Sequence, residues 1–372
     1  MKQKILFIIT SLGGGGGEKV LVTTLKNFDY TRFEVHLCVI TKWGVYLDDI
    51  PEQVKVFYLY ENPASLFAKV SFNLYSRFRV SLLERWKIRS VVEDQYDTII
   101  SFMEGRSLKF HGYVMDRAGK SVTWVHTDMI NNHYTIGDVL SAADEERIYR
   151  SMDSIVFVSN EAKSQFQKLY KIENEQVVVL NPIDRELIRE LAQTKVVEKS
   201  RFVIGSIGGL REPKAYDRLV RVAAMAKRDG YDVEFWIVGD GELRGELERQ
   251  IEELDVADSV KLLGFQNPPY PYLAQFDLFL STSLVEGYPL VVGEALCLGI
   301  PIVATRCTGP VEMLDGGEYG VITEQDDESI YRGVKSLLDD TNLMKCYVAK
   351  SQARSAIFDI AFTMNEIYNI IS

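Results

Sequence analysis

Two glutamates eight positions apart, in a segment that passes from a turn into a helix, have the spacing best suited to ligand binding in this chain. Glu286 opens the segment Glu-Gly-Tyr-Pro-Leu-Val-Val-Gly-Glu, and Glu294 closes it. The apolar spacing predicts a helix that begins near Leu290, and the unpaired N–H groups of a helix N-terminus attract anions such as a diphosphate. We therefore expect Glu294 to bind ribose hydroxyls and Glu286 to hold a sugar ring. Taken alone, the pair is more often a surface turn and an ordinary first helical turn, because Glu is common in helices.

A run of five glycines, Gly13–Gly17, follows the first apolar strand and leads into a helical pattern. Without Cβ atoms this loop lets a phosphate or a sugar approach the backbone closely. The run matches neither the G-x-G-x-x-G pattern of dinucleotide sites nor the Walker pattern. It therefore disfavours ordinary dinucleotide binding, and a flexible connector is the alternative interpretation.

Two further loops carry polar groups at the ends of predicted strands. His126 follows the fifth strand and would donate to a phosphate or a sugar hydroxyl, although a single histidine is more often structural. After a later strand, Arg211 and Lys214 offer two cations that would neutralise a leaving diphosphate, unless they are solvated loop charges. No Asp-x-Asp sequence occurs in the chain, and His133 lacks companion ligands. The sequence therefore predicts phosphate stabilisation without a metal.

The composition indicates a cytoplasmic globular protein. Its 372 residues predict two domains, and 47% hydrophobic with 26% charged residues is typical of soluble domains. The four cysteines form neither a metal-ligand pattern nor a disulfide framework. We expect neither a transmembrane helix nor a signal peptide, because no apolar run is long enough and no cleavage-site pattern precedes the first strand. The net charge of −11 disfavours nucleic acid as the main partner.

Residues 62–92 combine basic and aromatic side chains and are expected to be helical. They contain six lysines and arginines but one acidic residue, Glu84. A basic amphipathic helix of this kind lies on an anionic leaflet with its aromatic groups at the headgroup boundary. Alternatively, the aromatic groups face a domain core and the arginines are solvated. The first interpretation predicts peripheral contact with the inner face of the cell membrane.

Strand-like apolar runs alternate with helical patterns along the whole chain. The predicted strands are Ile5–Ile9, Val35–Ile40, Val54–Leu59, Thr98–Phe102, Ser121–Val125, Ser154–Val158, Val177–Leu180, Phe202–Ile207, Val233–Val238, Val260–Leu262, Leu278–Ser281, Ile302–Ala304 and Gly320–Ile322. Two successive βα series, separated by the charged residues 184–199, predict an α/β protein with two doubly wound, Rossmann-like domains. Because ligands of such sheets bind outside the carboxyl ends of the strands, we expect the site in a central cleft that the two domains face.

Together these motifs resemble the retaining glycosyltransferases of family 4, which have the GT-B fold, over essentially the whole chain. Eight short segments match the family in order: Gly15–Leu21, Trp124–His126, Val158–Asn160, Asn181–Asp184, Val238–Gly241, Leu263–Asn267, Glu286–Leu296 and Thr308–Glu312. Each is weak alone, but their number and order are specific. The resemblance implies an acceptor-binding domain over 1–185, a nucleotide-sugar-binding domain over 186–355, and a helix within 356–372 that crosses back to the first domain.

The resemblance also implies a role for each candidate residue. Glu294 would hold the ribose, Glu286 the donor sugar and Lys214 the diphosphate, and His126 would lie near the anomeric carbon. His126, Glu286 and Lys214 are thus the candidate catalytic residues, and no metal is expected. The donor would also contact Gly15, Gly16, Gly17, Gly209, Arg211, Phe265, Gly287, Tyr288, Pro289 and Leu290.

The loop before Lys214 departs from the family pattern. Many members have Gly-Arg-Leu where this chain has Gly208-Gly209-Leu210, and Ala215 stands where a glycine usually follows the lysine. The missing arginine leaves one phosphate contact unassigned. We expect Arg211, two residues later, to compensate; the alternatives are a slower enzyme or a different mode of donor binding.

The expected activity is a retaining, metal-independent transfer of a hexose or N-acetylhexosamine from a nucleotide sugar to a glycan or lipid-linked saccharide in surface polysaccharide synthesis. A UDP-sugar is the preferred donor and GDP-mannose the next, and no cofactor is expected. Two alternatives remain: a UDP-N-acetylhexosamine epimerase on the same fold, and a catalytically silent protein that binds sugar nucleotides or glycans. Donor hydrolysis without an acceptor would separate a transferase from a binding protein.

Overall fold

The computed structural model describes residues 2–372, and the chain divides into two units. The first comprises Met1–Pro182 and Ala361–Ser372, and the second comprises Ile183–Ile360. The last segment of the chain therefore packs with the first unit. There the Tyr368 hydroxyl accepts a hydrogen bond from the Asp29 N–H at 2.8 Å.

A seven-stranded parallel sheet forms the centre of the first unit. Its strands are β1 (Gln3–Ile9), β2 (Phe33–Thr41), β3 (Lys55–Tyr60), β4 (Tyr96–Ser101), β5 (Ala118–Val125), β6 (Ser154–Phe157) and β7 (Glu175–Val178). Their order is β3-β2-β1-β4-β5-β6-β7. Residues 5–9 of β1 are fully buried, as expected for a central strand of a parallel sheet that helices cover on both faces.

A six-stranded parallel sheet forms the centre of the second unit. Its strands are β8 (Phe202–Ile207), β9 (Val233–Val238), β10 (Val260–Leu262), β11 (Leu278–Ser281), β12 (Ile302–Thr305) and β13 (Val321–Thr323), in the order β10-β9-β8-β11-β12-β13. All thirteen strands expected from the alternation are thus present among residues 2–372, and β8, β9, β10 and β11 have the predicted bounds. The prediction of two doubly wound, Rossmann-like domains is confirmed.

Residues 2–372 also form fifteen α-helices. They are α1 (Gly16–Lys26), α2 (Leu66–Phe78), α3 (Leu82–Val91), α4 (Arg106–His111), α5 (Ala142–Arg150), α6 (Asn160–Leu169), α7 (Arg185–Leu191), α8 (Tyr216–Arg228), α9 (Arg244–Glu253), α10 (Tyr270–Leu273), α11 (Leu290–Cys297), α12 (Thr308–Met313), α13 (Asp327–Asp339), α14 (Thr341–Arg354) and α15 (Ile360–Ile371). Apolar spacing explains their packing: Leu219, Val220 and Ala223 recur on one side of α8 and are buried. Over this described part of the chain, none of the helices is both long and apolar enough to cross a membrane.

In each sheet the first strand of the unit lies in the interior, and later strands are added on both sides of it. β1 lies between β2 and β4, and β8 lies between β9 and β11. Where the strand order reverses in this way, the loops at the carboxyl ends of neighbouring strands diverge and leave a crevice for ligands. The predicted motifs occupy these loops: the glycine run follows β1, Gly208–Lys214 follows β8, and Thr282–Pro289 follows β11.

Residues 62–92 form two helices rather than one. After α2, Arg79 adopts a left-handed backbone conformation (φ 55°), and α3 starts at Leu82. Tyr75 and Glu84 are buried, whereas Trp86 is 62% exposed. The segment therefore packs part of its aromatic set into the unit and leaves another part on the surface.

Candidate functional site

An ion pair between Lys214 and Glu286 joins the loops that follow β8 and β11. The Lys214 Nζ lies 2.5 Å from the Glu286 Oε1, and the Ser283 hydroxyl donates to the same oxygen at 2.7 Å. The two charged side chains remain 25% and 14% exposed, so a ligand can reach both. The structure therefore brings together two of the three candidate catalytic residues.

Backbone contacts fix the position of Lys214. It ends a single turn of 3-10 helix, Glu212–Lys214, and Ala215 then adopts a left-handed conformation (φ 48°) before α8 begins. The Thr282 hydroxyl donates to the Lys214 carbonyl at 2.9 Å. The family resemblance led us to expect a glycine where this chain has Ala215, and a glycine would adopt this left-handed backbone at lower cost, since a Cβ is disfavoured in that conformation.

The Lys214 ammonium stays charged in this environment. Burial acts to lower its pKa, but the Glu286 carboxylate and other neighbours outweigh burial, and the pKa lies above the ordinary lysine value. A cation that is charged throughout the neutral range can stabilise a second, transient anion.

Glu294 lies on α11, one turn after the helix begins at Leu290, as the apolar spacing predicted. Its side chain is 2% exposed, and its Oε1 lies 3.4 Å from the Tyr270 hydroxyl. Tyr288 is also buried, and Pro289 occupies the N-cap position of α11. The first-turn N–H groups of α11 therefore follow directly on the loop that carries Glu286.

A glycine lets the start of α12 approach the same loop. The Gly309 N–H donates to the Glu286 carbonyl at 3.0 Å. A Cβ on Gly309 would lie 2.8 Å from the Gly287 oxygen and would contact Pro289 as closely. Only glycine fits at this close approach, so Thr308-Gly309-Pro310 has a structural reason to be in the motif.

The Arg211 side chain lies beside the position that a side chain on Gly209 would take. Arg211 is exposed, and its Nε lies 3.6 Å from where a Cβ on Gly209 would be. The three atoms nearest to that position all belong to Arg211. The side chain of Arg211 thus lies close to position 209, where the family resemblance led us to expect an arginine.

Phe265 lies two strands away from β8 in the sheet order. It follows β10 and is 48% exposed. The preceding Gly264 pairs with Gly239 in an antiparallel bridge. The exposed ring of Phe265 therefore lies beyond β9, on the β10 side of the sheet, and not in the loops that carry Lys214 and Glu286.

In the first unit, the glycine run belongs to the connection between β1 and α1 and continues into the first turn of α1. Gly15 is the N-cap residue of α1, and Gly16 and Gly17 begin its first turn. A Cβ on Gly16 would meet no described atom within 4 Å, whereas one on Gly17 would lie 3.1 Å from the Met103 Sδ. The run therefore presents open backbone at Gly16 at a helix N-terminus.

His126 follows β5 directly, as predicted. Its Nε2 is buried and has no hydrogen-bond partner among residues 2–372, and its ring packs against Phe102 with centroids 5.2 Å apart. Burial lowers the pKa of His126 to about 4, although a hydrogen bond to the backbone of Phe102 acts in the opposite direction. The imidazole is therefore neutral at physiological pH.

Sequence reasoning missed Glu104. This residue follows β4, is 3% exposed, and accepts a hydrogen bond from the His126 N–H at 2.9 Å. Its other carboxylate oxygen accepts from the Tyr134 hydroxyl at 2.8 Å. The sequence signal that could have identified Glu104 is its position after β4, the strand next to β1, where the strand order reverses.

His133 is part of a different hydrogen-bond group. Its Nε2 lies 2.9 Å from the Glu145 Oε2 and 3.2 Å from the Tyr170 hydroxyl. Among residues 2–372, no group of three or more His, Cys, Asp or Glu side chains is placed to hold a metal ion.

Comparison with known proteins identifies relatives over the whole chain. Residues 201–340 match the family model described as "Glycosyl transferases group 1". Over 367 residues the chain is 29% identical to the N-acetylgalactosamine-N,N'-diacetylbacillosaminyl-diphospho-undecaprenol 4-alpha-N-acetylgalactosaminyltransferase of Campylobacter jejuni, with 96% of each chain covered.

Two solved structures have the same architecture. HepE of Anabaena, in complex with UDP and glucose, gives a TM-score of 0.75 at 21% identity and covers 99% of this chain and 98% of that chain. TarM of S. aureus, as a mutant in complex with Fondaparinux, alpha-GlcNAc-glycerol and UDP, gives 0.76 at 13% identity and covers 100% of both chains. These likenesses confirm the predicted fold. The chain is therefore a glycosyltransferase with the GT-B fold, and its residues 201–340 match the model of the group 1 glycosyltransferases.

Proposed function

We propose that this enzyme transfers a hexose or an N-acetylhexosamine from a nucleotide sugar, preferably a UDP-sugar, to a lipid-linked saccharide with retention of the anomeric configuration. The observation that carries the proposal is the Lys214–Glu286 ion pair next to the start of α11, with Glu294 buried one turn inside that helix. A cation, a helix N-terminus and a buried carboxylate are the groups that a diphosphate and a ribose require. The UDP bound in HepE and in TarM supports the choice of nucleotide.

Each group in the second unit has its own task in this proposal. Glu294 accepts hydrogen bonds from the ribose hydroxyls, and Glu286 accepts from the donor sugar. The backbone N–H groups around residues 287–290 bind the diphosphate, and Lys214 and Arg211 neutralise it. The other donor contacts in this unit are the backbone at Gly209 and the exposed ring of Phe265.

The leaving diphosphate is stabilised by fixed cations and helix ends, so the reaction needs no divalent metal. Lys214 is charged and held in place before the reaction, and such preorganised charge is typically worth about 10²–10³-fold in rate per group. The bond between the anomeric carbon and the phosphate oxygen breaks while the acceptor oxygen attacks from the same face. The leaving phosphate oxygen takes the acceptor proton. Glu286 already accepts hydrogen bonds from Lys214 and Ser283, which suits a binding role better than that of a nucleophile.

The first unit binds the acceptor in this proposal. The neutral His126 offers a hydrogen bond to a sugar hydroxyl, because its Nε2 has no partner among residues 2–372. The name of the Campylobacter relative includes a diphospho-undecaprenol-linked saccharide, which supports a lipid-linked acceptor and a role in surface polysaccharide synthesis.

The exposed side of α2 and α3 supports contact with an anionic membrane surface. Leu66, Phe78, Leu82 and Trp86 are 62–80% exposed. The one acidic residue of this segment, Glu84, is buried in an ion pair with Lys109 at 3.1 Å, so the charged side chains that residues 62–92 expose are cations. Exposed aromatic and basic groups on one element are the combination that binds headgroups.

Thermal denaturation with UDP, GDP and ADP in the absence of metal tests the donor part. A ligand at a hundred times its Kd stabilises the folded state by about 2.7 kcal/mol. We expect UDP to raise the Tm of the wild type and of the control Glu253→Ala, a variant of an exposed glutamate at the end of α9, but not that of Glu294→Ala. Stabilisation by no nucleotide, or equal stabilisation of Glu294→Ala, would contradict the proposed site.

Two alternative functions use the same groups differently. An epimerase would convert a UDP-N-acetylhexosamine without any acceptor, and a catalytically silent protein would bind the nucleotide sugar unchanged. Slow release of UDP from the donor in water, accelerated by an added acceptor saccharide, is expected only for the transferase.

A further inference from the structure

The buried carboxylate of Glu104 holds two groups of the first unit next to each other. Its Oε2 accepts from the His126 N–H at 2.9 Å, and its Oε1 accepts from the Tyr134 hydroxyl at 2.8 Å. A carboxylate at 3% exposure keeps both bonds away from competing water. The Tyr134 hydroxyl is therefore fixed relative to the loop that begins at His126.

Tyr134 is anchored at its hydroxyl but open along its ring. The residue begins a short 3-10 turn, Tyr134–Gly137, and is 48% exposed although its hydroxyl bonds to a buried group. A ring that is held at one end loses little conformational freedom when a ligand packs on it. Such a rigid, exposed aromatic face is a feature of a binding site rather than of a core.

The chemistry of an aromatic face selects the ligand class. The face carries partial negative charge, and the axial C–H groups on one side of a pyranose carry partial positive charge. The backbone N–H of His126 bonds to the carboxylate that holds Tyr134, and the Nε2 of the same residue has no partner among residues 2–372. A sugar hydroxyl would satisfy this acceptor. Both features fit one ligand type, a pyranoside.

We propose that Tyr134 is a stacking platform for a pyranose ring of the acceptor saccharide, and that Glu104 is the positioning residue that orients it. This inference rests on the proposed function and adds an acceptor subsite to it. The subsite lies within the first unit, so its binding energy is separate from that of the nucleotide.

Saturation-transfer NMR with four methyl α-glycopyranosides, those of glucose, galactose, N-acetylglucosamine and N-acetylgalactosamine, tests the subsite directly. We expect at least one to bind the wild type and to bind Tyr134→Ala about tenfold more weakly, the typical scale of one aromatic contact. Tyr134→Trp, which keeps an aromatic face, should retain binding, and Glu104→Gln should lie between the wild type and Tyr134→Ala. Leu140→Ala, a variant of another exposed residue nearby in the chain, should bind like the wild type.

Two results would overturn the inference: equal binding by Tyr134→Ala and the wild type, or no glycoside bound by a wild type that binds nucleotide. Thermal denaturation of Tyr134→Ala with UDP checks that the variant is folded and separates this inference from the proposed function.

If UDP stabilises both proteins but the acceptor KM is unchanged in Tyr134→Ala, the subsite is wrong and the transferase stands. If UDP stabilises neither but Tyr134→Ala loses glycoside binding, the subsite stands and the donor assignment is wrong. In the supporting outcome, Glu104→Gln raises the acceptor KM and leaves the donor KM unchanged.

Discussion

Lys214 is the residue on which the proposed donor chemistry depends most. We expect Lys214→Ala to lower kcat by about 10²–10³-fold, because a fixed charge on the leaving diphosphate is lost. The Tm should change little, since both partners of the ion pair are partly exposed and such pairs contribute about 1 kcal/mol or less. Steady-state kinetics together with thermal denaturation separates the two effects.

Lys335→Ala is the matched control for this measurement. Lys335 also pairs with a carboxylate, Asp229, at 3.1 Å, but it belongs to α13 rather than to the loop after β8. Its removal should leave kcat unchanged. If Lys214→Ala and Lys335→Ala have the same kcat, the role assigned to Lys214 is wrong.

Arg211 gives a second test at the residue scale. We expect Arg211→Ala to raise the donor KM by about 10–100-fold, since a hydrogen bond to a charged phosphate is worth roughly 1.5–3 kcal/mol. Gly209→Arg in the Arg211→Ala background should restore much of this loss, because the Arg211 side chain is what lies nearest to a Cβ at position 209. The exposed Arg228 provides the control variant Arg228→Ala. Unchanged donor kinetics in Arg211→Ala would show that the arginine does not compensate.

Sequence alone could predict those site residues that form a recognisable motif with their neighbours in the chain. Glu286 and Glu294 stand in one segment whose turn and helix are visible in the sequence, and the helix begins where it was expected. Glu104 and Tyr270 could not be found in this way, because their partners are 22 and 24 positions away along the chain and meet them only in the folded units.

At the scale of elements, α2 and α3 carry a prediction about the membrane. We expect Lys69→Gln with Arg77→Gln to weaken binding to vesicles that contain anionic lipid by about 25-fold, since each cation near such a surface contributes about 1 kcal/mol. Trp86→Ser should weaken binding further, because its ring is 62% exposed and would leave the headgroup boundary. Sedimentation with vesicles of phosphatidylglycerol and phosphatidylcholine measures both changes.

The control for this element removes two exposed cations from the second unit, Arg228→Gln with Lys345→Gln. This pair changes the net charge equally and should leave vesicle binding as in the wild type. If both double variants lose the same affinity for the vesicles, the overall charge of the protein, and not α2 and α3, causes its attraction to the membrane. If neither loses affinity, the segment does not contact the membrane.

At the scale of the whole molecule, the two units differ in their titratable groups. The first unit contains 22 basic and 23 acidic residues, whereas the second contains 20 and 30, and all four histidines belong to the first unit. Sequence periodicity predicted both sheets, because a buried parallel strand needs a continuous apolar run. It could not show which histidines are buried, since burial depends on packing between distant elements. His111 is such a case: it lies on α4 and is fully buried.

His111 gives the molecule a predictable sensitivity to acid. Its ring nitrogens lie 3.1 Å from the Ser101 hydroxyl and 3.2 Å from the Ser121 hydroxyl, and burial lowers its pKa to about 3. Below pH 6.5 the unfolded chain binds a proton that the folded His111 does not, so the free energy of unfolding falls as the pH falls towards 3. Between pH 7.5 and 5.0 this one group should cost about 2 kcal/mol. Hydrogen exchange of the β5 amides, compared between the wild type and His111→Gln, measures this difference in the free energy of unfolding. Groups that both proteins share contribute equally and cancel in the comparison, including those whose pKa is raised by burial, such as Glu104. An equal loss of protection in both proteins would mean that His111 is protonated in the folded state or exposed before unfolding.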